Sequence, residues 1–74
     1  MDVRKANIVT IWSTARAAVQ AGWTLQQNAE SVQYDLENGQ PVNPNDIAAM
    51  WEDLYVMERA TEHIRHNLGL IGGL

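Results

Sequence analysis

The sequence predicts an all-α fold: a long antiparallel two-helix hairpin that dimerises into a four-helix bundle or a coiled-coil-like assembly. Three observations carry this expectation. Apolar residues recur every 3.5 positions along two separate stretches. The two stretches mirror each other across a turn rich in Asn, Gly and Pro. A second stripe, holding all three tryptophans, runs beside the first.

The first stretch places Ile8, Ile11, Ala15, Ala18, Gly22, Leu25, Ala29, Val32 and Leu36 on the two inward positions of a heptad. The second does the same with Ile47, Met50, Leu54, Met57, Thr61, Ile64 and Leu68. A repeat of this period is a packing seam between helices. Helix 1 is expected over about residues 3–38, with Asp2 as its cap, a span of about 54 Å at 1.5 Å per residue. Gly22 is its weak point, since Gly costs about 1 kcal/mol relative to Ala inside a helix. Asn38-Gly39 closes it, because Gly takes the left-handed conformation that ends a helix.

The turn covers residues 39–43. Pro41 forces Gln40 into an extended conformation and blocks any helical continuation. Helix 2 then starts with a strong local signal. Asn43 is the cap, Pro44 occupies the first helical position, and Asp46 puts negative charge in the first turn. Val42 and Ile47 flank the cap as a hydrophobic staple. Helix 2 is expected to run about 44–68 and to close at Gly69, with Leu70 folding back on Ile64. Residues 69–74 would form a short apolar tail. The whole chain, residues 1–74, is one helical-hairpin domain.

A short connection makes the helices antiparallel neighbours. The expected register pairs Leu36 with Ile47, Val32 with Met50, Ala29 with Leu54, Leu25 with Met57 and Gly22 with Thr61. Small residues then face large ones, so the layers interdigitate. Helix 1 is longer than helix 2 by about 16 Å in this reading. Its first turns, with Ile8, Ile11 and Trp12, would lack cover except from Leu70, Ile71 and Leu74.

Beside the seam lie Val9, Trp12, Val19 and Trp23 on helix 1 and Trp51 and Tyr55 on helix 2. Each tryptophan buries roughly 150–250 Å² when covered. A soluble monomer rarely exposes a contiguous patch of that combined size. A second copy of the hairpin, packed through this flank, closes the surface. The expected protein interface is Ile8, Ile11, Trp12, Val19, Trp23, Trp51, Tyr55, Leu70 and Ile71.

Composition narrows the function. Nine acidic and five basic residues give a net charge of −4, which disfavours the nucleic-acid backbone. No apolar run approaches the roughly 20 residues of a membrane span. There are no cysteines, so disulfides are excluded. No leader segment is legible, so the expected setting is the cytoplasm, including the host cytoplasm of an infected cell. Residues 17 to 29 carry no charge and surround Trp23 with Gln20, Thr24, Gln26, Gln27 and Asn28, a composition suited to an interface.

Catalysis has no motif to rest on. His63 and His66, three apart beside Glu62, have a spacing that can hold a metal, but a site needs three or four ligands and no further cluster supplies them. Histidine near a helix C-terminus is favourable through the dipole alone. Glu52, Asp53, Glu58 and Glu62 read as a solvated face tempered by Arg59 and Arg65. Ser13, Thr14 and Ser31 have no base at helical spacing. No cofactor and no metal are expected. The reading is of a non-enzymatic acidic helical protein that binds a heterologous protein and modulates its activity or assembly, as an adaptor or inhibitor of the kind phages encode. The alternative is a self-associating subunit of a virion or scaffold.

Overall fold

A computed structural model describes residues 3–72. Two α-helices account for nearly all of them: α1, Val3–Glu37, and α2, Pro44–Ile71. They pack against each other as an antiparallel hairpin in a rod of 56 × 17 × 15 Å. At 1.5 Å per residue they are about 52 and 42 Å long. α1 runs unbroken through Gly22.

The turn forms as its sequence dictates. Gly39 sits at φ 64°, the left-handed conformation that only glycine adopts without strain. The Gln40 amide donates to the Asp35 carbonyl at 2.8 Å and the Gly39 amide to Leu36 at 3.4 Å. This pair of bonds satisfies carbonyls that the end of α1 would otherwise orphan. Asn38 adds its side-chain amide to the Tyr34 carbonyl at 2.8 Å. Asn43, extended at φ −72° and ψ 118°, accepts from the Asn45 amide at 2.9 Å and caps α2, with Pro44 and Asp46 in the first turn.

The far end of α2 departs from expectation. Gly69 does not close the helix. Its backbone stays helical, and α2 continues through Leu70 to Ile71 before Gly72 caps it, donating to the Leu68 carbonyl at 3.4 Å. A single glycine costs only about 1 kcal/mol in a helix, less than packing one more turn against α1 returns. Leu70 is therefore helical and exposed rather than folded onto Ile64. The extra turn brings Ile71, one of the residues expected to cover the start of α1, alongside it in helical form. Ile11 and Ile71 are both half-buried, and Asn67 is buried. The proposed Asp2 cap, Gly73 and Leu74 lie outside the described residues.

The seam itself has a different phase. Seven of the sixteen expected positions lie at the centre of the seam: Ile11, Ala18, Leu25 and Val32 on α1, and Met50, Met57 and Ile64 on α2. At the others the preceding residue takes that place. Asn7, Thr14, Ala21, Asn28 and Asp35 turn inward, leaving Ile8, Ala29 and Leu36 exposed and Ala15 and Gly22 half-buried at the edge of the seam. On α2, Asp46, Asp53, Ala60 and Asn67 replace Ile47, Leu54, Thr61 and Leu68. Both phases keep the 3.5-residue period, so periodicity alone does not choose between them. Ala21 and Ala60, where small side chains let the helices approach, are the buried hydrophobic residues among those described.

The register moves by about one turn. Gly22 faces Met57, 3.8 Å from a Cβ placed on it to the Met57 Cε, rather than Thr61. Ser31 donates its hydroxyl to Asp46 at 3.0 Å. The cause lies in the turn. Residues 40–43 are not helical, so the path of the turn, rather than the heptad count, sets where along α1 the first turn of α2 lies. The excess length of α1 is thus shared between the two ends of the rod.

Candidate protein-interaction face

The phase shift sorts the two sides of the hairpin by polarity. In antiparallel helices, positions one residue after the seam on each helix emerge on the same side of the pair. That side carries Ile8, Ala15, Gly22, Ala29 and Leu36 from α1, and Ile47, Leu54, Thr61 and Leu68 from α2. The next positions outward add Trp12 and Val19 on one edge and Trp51 on the other. A groove of about 240 Å³ on this side is lined by Leu25, Ile47, Met50, Trp51 and Leu54. Thr61 returns its hydroxyl to the Met57 carbonyl at 2.9 Å, so it needs no water there. Between Ile8 and Leu36 the α1 half of the face bears no charge, and Lys5 stands at its open end. The α2 half bears Glu58 and Arg65 at its rim, beside Leu54 and Met57.

The opposite side is more polar, although Val56 and Leu70 are exposed on it. It presents Thr10, Ser13, Thr24 and Ser31 of α1, and Arg59 and His63 of α2, with Thr14 at the edge of the seam. A wider depression there is lined by Ser13, Thr14, Ala17, Val56, Arg59, Ala60 and His63. Thr10, Ser13 and Thr24 bond to the carbonyls four residues back at 2.8–3.1 Å. Arg59 reaches Tyr55, 3.3 Å to the hydroxyl and 5.9 Å to the ring, rather than Glu62.

The expected interface residues therefore divide. Ile8, Trp12, Val19 and Trp51 lie on the apolar face, and Trp12 and Trp51 are 63% and 69% exposed. Arg16 stacks over the Trp12 ring at 5.6 Å. Trp23 and Tyr55 are exposed too, but on the outer edges of α1 and α2, nearly opposite the partner helix. Leu70 is exposed on the polar side. Ile11 and Ile71 belong to the seam and offer little surface. Leu36, Ile47, Leu54 and Leu68, outside the expected list, are also exposed on the apolar side. Their heptad positions had assigned them to the interior.

No protein-family model, curated protein or solved structure matches this chain.

Two energetic observations bear on the face. The chain exposes 5772 Å². A compact protein of 8.3 kDa exposes about 4,600 Å² by the usual scaling, so about 1,200 Å² is in excess. Second, the intrachain seam is poorly satisfied. Asn7 Nδ2 and Asp53 Oδ2 are buried without a hydrogen-bond partner. Each such atom costs about 1–3 kcal/mol. Polar groups thus occupy the seam while Ile8, Leu36, Ile47, Leu54 and Leu68 face outward. No helix among the described residues is long and apolar enough to cross a membrane. Nor do any three His, Cys, Asp or Glu side chains among them group to hold a metal ion.

Proposed function

We propose that this chain is a non-enzymatic protein-association module. Its apolar face is covered by another polypeptide, giving a four-helix arrangement, and through such contacts it modulates the activity or assembly of a protein. One observation carries the reading: Ile8, Trp12, Val19 and Leu36 of α1 and Ile47, Trp51, Leu54 and Leu68 of α2 are all exposed on one side of the hairpin. Covering that face removes the hydrophobic surface that the hairpin leaves in water, at roughly 25 cal/mol per Å². Trp12 and Trp51 supply aromatic anchors of the kind that dominate protein interfaces.

Site-specific photo-crosslinking tests this in the cells that make the protein. A photoreactive phenylalanine in place of Trp51 is expected to give a discrete protein adduct. The same group in place of Gln27, on the polar side of α1, is expected to give none. Equal labelling from both positions, or none from Trp51, overturns the reading.

A further inference from the structure

Three features of the apolar face identify what covers it and in which direction. This step rests on the reading above, that another polypeptide occupies the face. We propose that the occupant is a second copy of this chain, laid face to face with its long axis reversed. α1 then packs antiparallel on the partner's α1, and α2 on the partner's α2, about a two-fold axis near Gly22.

The first feature is charge. No Lys or Arg occurs between Arg16 and Arg59. That span, which makes the turn half of the rod, holds Glu30, Asp35, Glu37, Asp46, Glu52, Asp53 and Glu58. The open half holds Arg4, Lys5, Arg16, Arg59 and Arg65 against Glu62 among the described residues. The hairpin is a bipolar rod. Reversed packing lays the acidic half of one copy over the basic half of the other. Parallel packing stacks acidic half on acidic half.

The second feature is size. Along α1 the face reads Ile8, Ala15, Gly22, Ala29, Leu36: large, small, smallest, small, large. A two-fold axis at Gly22 sets Ile8 against the partner's Leu36 and Ala15 against the partner's Ala29. Along α2 it reads Ile47, Leu54, Thr61, Leu68, whose midpoint falls between Met57 and Glu58. An axis there sets Ile47 against the partner's Leu68 and Leu54 against the partner's Thr61. The two midpoints are neighbours in the hairpin, because Gly22 lies against Met57. One axis therefore serves both helices. A two-fold interface requires this self-complementarity, whereas a heterologous partner imposes no such symmetry.

The third feature is area. The rod exposes about 1,200 Å² more than a compact chain of its mass, which leaves room along one side for an interface of at least standard size.

The chain has no cysteine, so a single one can be introduced and spin-labelled. The test uses Gln40→Cys, exposed in the turn, read by pulsed dipolar spectroscopy alongside light scattering. The expected result is twice the 8.3 kDa chain mass, with labels on the order of 50 Å apart, near the 56 Å length of the rod. A dimer with labels within roughly 20 Å, the spacing of adjacent helices plus their linkers, overturns the reversed orientation and leaves the covered face standing. A mass of one chain without dipolar coupling overturns the second copy. If the photo-adduct at position 51 then persists on a different protein, the reading above survives; if it is lost, both fall.

Glu58→Gln supplies an independent readout. Only reversed packing places Glu58 near the axis, facing the partner's Glu58. Neutralising it is expected to lower the dimer Kd by roughly twofold or more, the scale of a like-charge helix pair. An unchanged or raised Kd contradicts the arrangement.

Discussion

Asp53 gives the sharpest test of the seam. It is half-buried between the helices, and its Oδ2 has no hydrogen-bond partner. In the unfolded chain water satisfies that oxygen, so folding carries the loss. For a half-buried carboxylate with one oxygen cut off, the cost is about 1 kcal/mol, the low end for an unmet buried acceptor. Aspartate is also a poorer helix former than alanine, by up to about 0.7 kcal/mol. Asp53→Ala removes both terms and leaves no bonded partner orphaned. It is expected to stabilise the fold by about 1.5 kcal/mol, and each kcal/mol raises Tm by about 4–8 °C in a chain of this size. Urea unfolding followed by circular dichroism measures it, with the slope against urea unchanged. A lower midpoint would mean that Asp53 is satisfied in the native state, and that the polar phase of the seam is wrong.

Three further outcomes follow from backbone and cap geometry. Gly39→Ala is expected to destabilise the hairpin by about 1–2 kcal/mol, because φ 64° is left-handed, although nothing lies within 4 Å of the added methyl. The same exchange at Gly69, helical and equally open, is expected to stabilise by about 1 kcal/mol. Equal effects at the two sites, read by thermal melting, would contradict the placement of the α2 end. Asn43→Ala removes the side-chain bond to the Asn45 amide and is expected to cost about 1 kcal/mol, with Asn43→Ser restoring most of it.

Local chemistry was legible in the sequence and long-range phase was not. The turn and both of its caps follow from Asn38-Gly39, Pro41 and Asn43-Pro44, each acting within a few residues. The seven inward positions shared by both phases, from Ile11 to Val32 and from Met50 to Ile64, were also legible as apolar repeats. The remaining inward positions were not. A reading that sends the largest apolar residue inward chooses Ile8, Leu36, Ile47, Leu54 and Leu68. In the hairpin these lie beside the seam, and Asn7, Asn28, Asp53 and Asn67 lie within it. Asn67 tolerates burial because its side-chain amide donates to the His63 carbonyl at 2.8 Å. The register was missed because the spacing within each helix does not fix how far residues 40–43 carry the chain along α1. Of the residues on the apolar face, Trp12, Val19 and Trp51 belong to the second stripe, and Ile8 was singled out because the start of α1 lacked cover. Trp23 shared the stripe's composition but not its direction, since a seven-residue repeat places it on the back of α1.

The central claim is that one hairpin leaves a face that another polypeptide must cover. Thermal unfolding of the purified chain over a hundredfold range of concentration tests it directly. Folding coupled to association makes Tm rise with concentration, and the account predicts such a rise, with helix content falling at the dilute end. A Tm that stays constant across the range, at full helicity and a mass of one chain, contradicts it.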